Sequence, residues 1–164
     1  MRQGGVRDTL PESIQLDGVL CELVPSDDTS LWDVLHDGCI TRLARSGPRV
    51  SVSVSCEYLR SRFSEPGDGF VLELLDVTHV ALAPPGGAAV QTSLDEITAS
   101  EELYILSGEL EKSGEVVVHT DGGALRLHYG ALALRFDSGA ALAPSALRQA
   151  AHAYWDELSR KNGR

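Results

Sequence analysis

Val50-Ser51-Val52-Ser53-Val54-Ser55-Cys56 alternates apolar and hydroxyl side chains without a break. A β-strand sends successive side chains to opposite faces, so this run puts the valines and Cys56 on one face and the serines on the other. On a helix the same valines would spread around the whole circumference and leave no apolar stripe. The segment reads as a strand whose valine face is buried and whose serine face meets water.

Working outward, Cys39-Ile40-Thr41-Arg42-Leu43 is a neighbouring strand, joined to the first by the turn Ser46-Gly47-Pro48. Leu31-Trp32-Asp33-Val34-Leu35 carries the β-like pattern further upstream, with His36-Asp37-Gly38 as a turn. Downstream, Tyr58 to Phe63 suits one turn of helix and Glu65-Pro66-Gly67-Asp68-Gly69 a loop. Phe70, Leu72 and Leu74 share a strand face, with His79 to Leu82 expected as the return strand. Ser93 and Glu96 match a capping box and predict a short helix near 93–99. Leu103 to Leu110, Glu115 to Thr120, Leu125 to Tyr129 and Leu132 to Asp137 read as further strands, and Asp121-Gly122-Gly123 suits a tight hairpin turn.

The C-terminal segment changes period. Pro144 suits a first helical position, and Leu147, Ala151, Tyr154, Trp155 and Leu158 form a stripe along a helix over 144–161, stopped by Asn162-Gly163. Residues 1–29 are broken by Gly4-Gly5, Pro11, Pro25 and a polar cluster, and read as a loosely structured arm adding at most one edge strand, Val19 to Val24. Residues 30–164 then form a single domain. The expected fold is α+β and mainly β: an antiparallel curved meander of about eight or nine strands, sandwich-like or a partly open barrel, with the C-terminal helix packed on the sheet.

Composition narrows the function. The chain has 164 residues, is 43% hydrophobic and carries a formal charge of -10. The acidic balance opposes nucleic-acid binding, which rewards basic faces, and no apolar run approaches the length of a membrane-spanning helix. No apolar stretch follows Arg2 and Arg7, and Cys21, Cys39 and Cys56 lack metal-finger or CxxC spacing. A soluble cytoplasmic protein with reduced thiols is expected.

The charges are segregated. Arg42, Arg45, Arg49, Arg60 and Arg62 are opposed locally only by Glu57, whereas Asp95, Glu96, Glu101, Glu102, Glu109, Glu111 and Glu115 are opposed only by Lys112. The plain reading is two solvated faces of opposite sign. The functional reading is a binding surface for a basic protein partner, made of Asp95, Glu96, Glu101, Glu102, Glu109 and Glu111. Glu101, Glu109 and Glu111 share strand parity.

Catalytic patterns are not recognisable. No GxSxG or phosphate-loop motif occurs, and adjacent strand residues such as His36 and Asp37 point apart. His119 and His128 would lie about 7 Å apart on one face if Gly122-Gly123 forms the hairpin loop, and would separate if Asp121-Gly122 does. Arg126 on that face opposes a cation, so no metal, cofactor or catalytic residue is assigned. Trp32, Tyr154 and Trp155 read as core anchors.

The His36-Asp37-Gly38 turn, the hairpins after it and the stretch Phe70 to Val80 resemble a group of small uncharacterised bacterial β-rich proteins, some classed as immunity proteins of polymorphic toxin systems. The resemblance covers Leu31 to Asp137 and implies a non-catalytic, immunity-type inhibitor that binds a toxin-like partner. It carries over no site residues. Two other readings stand beside it: a small-ligand binder or enzyme with a pocket near His36 and Tyr58, and a structural subunit that pairs exposed strand edges.

Overall fold

The computed structural model describes residues 12–87, 94 and 103–163. Its strands are β1 (Ser13–Leu16), β2 (Val19–Pro25), β3 (Cys39–Ser46), β4 (Arg49–Ser55), β5 (Gly69–Leu75), β6 (His79–Ala83), β7 (Leu103–Leu110), β8 (Val116–Thr120), β9 (Gly123–His128) and β10 (Ala131–Phe136). Its helices are α1 (Ser30–Val34), α2 (Glu57–Arg60) and α3 (Pro144–Asn162). All ten strands pair antiparallel in one open sheet, in the order β1-β2-β10-β5-β4-β3-β7-β8-β9-β6. The mainly β architecture with a C-terminal helix is as expected. The helix expected near 93–99 lies outside the described residues apart from Leu94.

The alternation in β4 organises half of the core. Val50, Val52 and Val54 pair with Leu74, Leu72 and Phe70 of β5, which in turn pair with Leu132, Leu134 and Phe136 of β10. These rows face inward and are almost fully buried. In the other half, Val80 and Leu82 pair with Leu127 and Leu125, and those with Val116 and Val118. Both sets belong to one continuous core, which Leu147 and Ala151 of α3 complete.

The chain passes between the halves at a corner. His79 to Leu82 is not a return strand: β6 pairs with β9, not β5. Asp76 takes a left-handed φ of 55°, Thr78 N donates to His128 O at 3.0 Å, and Gly130 N donates to Leu75 O at 2.9 Å. β5 and β6 therefore run on as one bent strand beside β9 and β10. Strands that switch layers through such a bend are a normal way to turn a sheet corner.

Leu31 to Leu35 is not extended. Period two would bury Asp33 with Leu31 and Leu35, whereas a helical turn places Leu31, Trp32 and Leu35 together, all at 0% exposure, and leaves Asp33 outside. Asp28 Oδ1 accepts from the Ser30 amide at 3.1 Å and starts the helix. α1 and the following turn then cover the side of β7 that β3 leaves unpaired. Ile105 N donates to Gly38 O, Asp37 N to Ile105 O, and Gly108 N to Asp33 Oδ1, all within 2.9 Å. His36 Nδ1 donates to Leu106 O at 2.9 Å. The His-Asp-Gly turn is an edge cap, which shields an otherwise open row of backbone groups.

The expectation of a loosely structured arm through residue 29 gives way, over residues 13–25, to a hairpin, which raises the strand number to ten. Asp17 and Gly18 both adopt positive φ, 51° and 80°, as a two-residue hairpin turn requires. β2 meets β10 only through Leu23, Val24 and Pro25. Beyond them the hairpin leaves the sheet edge and lies over the outer face, where Leu16 and Cys21 pack on Ala133.

That cover buries a charge. Glu73, on the outward side of β5, is 1% exposed. Its carboxylate accepts from Ser51 Oγ and Arg135 Nη2, and Arg49 Nε stands 3.1 Å away without being aligned to donate. Asp17 at the hairpin tip accepts from Arg49 Nη2 at 2.9 Å and lies 3.2 Å from Arg135 Nη2. The serine face of β4 is therefore partly roofed rather than wholly in water.

Arg49, and then Arg135, hold the Asp17 carboxyl below its ordinary 3.8. Such a group stabilises fully above its unfolded pKa, and the contribution is lost as pH falls through the lower folded value. Hydrogen-exchange protection in residues 13–22 is therefore expected to drop below about pH 4, ahead of β4 and β5. Simultaneous loss across the sheet would refute this.

Candidate functional site

α2 stands between two recesses, and the sequence around it explains why. Cys56 follows β4 inside the core as the N-cap of α2, and Glu57 to Arg60 make one helical turn before the loop to β5. Leu59 and Arg60 point inward, while Glu57 faces water. Arg60 is anchored: its Nε donates to Gly69 O at 3.1 Å, its Nη2 to Asp137 Oδ1 at 3.3 Å, and its guanidinium lies 4.8 Å from the Phe136 ring centre. Burial alone would raise the Asp137 carboxyl, but the amides of Asp68 and Gly69 and the Arg60 charge outweigh it and hold it below its ordinary value.

The larger recess is an open groove of about 600 Å³ between α2 and α3, lined by Asp37, Glu57, Tyr58, Ser61, Arg62 and Tyr154. Its floor is aromatic. The Tyr58 and Tyr154 rings are 4.4 Å apart, and Trp155 meets Tyr154 edge-on at 5.1 Å. Tyr58 Oη donates to His36 O at 2.7 Å, which ties the groove to the edge-capping turn. The other recess, about 410 Å³, shares Glu57 and Ser61 and adds Glu65 and Asp68.

The charges around α2 are unequal in their commitments. Arg62 is paired with Glu157, through Nη1 to Oε1 at 3.2 Å and Nη2 to Oε2 at 2.7 Å. Among the described residues Glu57 and Asp68 are exposed and make no ion pair, and Asp37 makes an ion-pair contact with His36 Nε2 alone, at 3.5 Å. Burial pushes the Cys56 thiol up, and burial likewise raises the Tyr58 hydroxyl. Both groups are held protonated at neutral pH, and neither is an activated nucleophile. Aromatic faces and exposed carboxylates at an open groove are an arrangement that can bind.

No family model, curated protein or solved structure matches this chain.

Of the acidic residues singled out from the sequence as a binding surface, only Glu109 and Glu111 are among the described residues. Asp95, Glu96, Glu101 and Glu102 lie outside the described residues. Glu109 and Glu111 stand at the end of β7 and are engaged: Glu109 with His119 Nε2 at 3.0 Å, Glu111 with both terminal nitrogens of Arg126. A bulge at Leu106 reverses the strand parity, so Glu109 falls on the face opposite Ile105. The shared-parity argument for Glu101, Glu109 and Glu111 therefore does not carry through β7.

Histidines behave similarly. Thr120 pairs with Gly123, so Asp121-Gly122 is the loop and His119 pairs with Ala124. His119 and His128 are thus in the separating register. His128 instead pairs directly with His79 of β6, and its Nδ1 lies 2.9 Å from Thr78 Oγ1. His79, His128 and Glu115 line a third recess of about 390 Å³, and Glu115 is held by Arg126 at 2.7 Å. Among the described residues no group of three or more His, Cys, Asp or Glu is arranged to hold a metal ion.

Proposed function

We propose that this chain is a non-catalytic binding protein that docks a basic protein partner through its acidic surface, as an immunity-type inhibitor docks a toxin. The observation that carries the reading is where the arginines go. Arg45 donates to the carbonyls of Gly47 and Val77, Arg49 and Arg135 meet Asp17 and Glu73, Arg60 meets Asp137, Arg62 meets Glu157, Arg126 meets Glu111 and Glu115, and Arg148 meets Asp28. Among the described residues most of the basic charge is thus committed inside the molecule, while carboxylates such as Glu57 and Asp68 are exposed and unpaired. A field of one sign raises the encounter rate of a partner of the other sign and is screened by salt.

The test is capture of the partner from cell extract followed by stopped-flow association. A basic polypeptide is expected, whose association slows roughly tenfold between about 20 and 300 mM salt. Charge reversal at Glu57 and Asp68 should slow it more than reversal at Glu109 and Glu111, which are already paired. An association rate indifferent to salt and to both reversals would end this reading.

A further inference from the structure

We infer that the groove between α2 and α3 is an anchor point for an arginine side chain presented by a basic polypeptide, an inference that rests on the binding reading above. The C-terminal helix supplies the first reason. Its apolar stripe buries Leu147 and Ala151, but Trp155, on the same stripe, is 40% exposed beside the groove. Trp and Tyr that offer a large rigid face at a concave site are the side chains that carry most binding energy at protein interfaces.

The second reason is that the chain already seats a guanidinium here. Arg62 lies with its Cζ 5.4 Å from the Tyr154 ring centre while both its terminal nitrogens donate to the Glu157 carboxylate. This pairing of an aromatic face with a forked carboxylate is the geometry that recognises guanidinium, and an ammonium can satisfy only its point-charge part. Beside Tyr154 on the groove floor, Tyr58 offers another ring, and Asp37 and Glu57 offer exposed carboxylates that no arginine or lysine neutralises among the described residues. The groove thus brings together the two kinds of group, aromatic faces and uncommitted carboxylates, that a guanidinium takes.

The shape selects the kind of ligand. A small molecule is normally enclosed over most of its surface, whereas this groove is open along its length and its volume of about 600 Å³ exceeds what one side chain fills. An extended basic segment, with one arginine lying over Tyr58 and its backbone along α3, fits that form.

The experiment titrates the full chain with blocked hexa-arginine and hexa-lysine peptides, read by calorimetry and by tryptophan fluorescence. Trp32 is fully buried, so a change in emission reports Trp155, and Trp155→Phe should abolish it. Hexa-arginine is expected to bind several-fold tighter than hexa-lysine, and the double variant Asp37→Asn/Glu57→Gln to weaken it about tenfold. The same charge removed at exposed Glu12 and Asp76, by Glu12→Gln/Asp76→Asn, should change it less than about twofold. Equal binding of the two peptides, or equal weakening by the two double variants, overturns the anchor and leaves the acidic-surface reading standing. No salt-sensitive binding of either peptide overturns both.

Discussion

Glu73→Ala is expected to destabilise the protein by about 3 kcal/mol, because it removes the one buried carboxylate that the largely buried Arg135 and its neighbour Arg49 share and leaves them only the exposed Asp17. Glu73 is 1% exposed and receives Ser51 Oγ and Arg135 Nη2, so its removal strands a donor as well as a charge. Desolvation makes the sign instructive. An isolated buried arginine is costly, whereas replacing the whole cluster with apolar residues removes the desolvation cost and the attraction together. Glu73→Leu combined with Arg135→Met should therefore recover most of the loss. Urea denaturation of the single and double variants checks this, and a double variant as unstable as Glu73→Ala would show that the cluster contributes more than mutual compensation.

Trp32→Ala is expected to cost about 3–5 kcal/mol by emptying the largest fully buried site of the core. Trp32 Nε1 donates to Tyr129 Oη at 3.2 Å, and burial has pushed that phenol up to about 12. Trp32→Phe fills much of the volume but orphans the hydroxyl, so an intermediate loss is expected. The site is tight from the other side as well. A Cβ built on Gly108 of β7 would lie 2.6 Å from Trp32 Cβ, so the strand approaches the indole only because residue 108 has no side chain. Thermal or chemical unfolding of Trp32→Ala decides the matter, and a loss under about 1 kcal/mol would mean that the core collapses into the space.

The strands were legible wherever one face is buried and the other is not. Val50 to Cys56 and Leu125 to Leu127 announce themselves by period two, and Leu147 and Ala151 by helical spacing. The α1 turn was hidden because five residues with Leu, Trp and Leu satisfy either period, and only Asp33 breaks the tie. The destination of β6 was illegible: His79 to Ala83 reads equally well beside any strand, and its pairing with β9 is set by the corner at Asp76, not by its own residues. Glu73 looks like an ordinary outward residue of an amphipathic strand until the hairpin from residues 13–25 covers it. The groove defeats local reading for the same reason, since Asp37, Glu57 and Tyr154 come from an edge cap, a single helical turn and the distant C-terminal helix. The five arginines between residues 42 and 62 looked like a solvated basic face, and Arg45, Arg49, Arg60 and Arg62 each found a non-local acceptor.

The bent strand that runs from Gly69 to Ala83 has a mechanical consequence. Because it is laced to β10 before the corner and to β9 after it, neither layer can peel from the other without tearing a ladder that both share. The shared ladder thereby opposes a hinge between the layers, so among the described residues the elements freest to shift on docking are those at the fringes: the hairpin of residues 13–25 and the aromatic C-terminal helix.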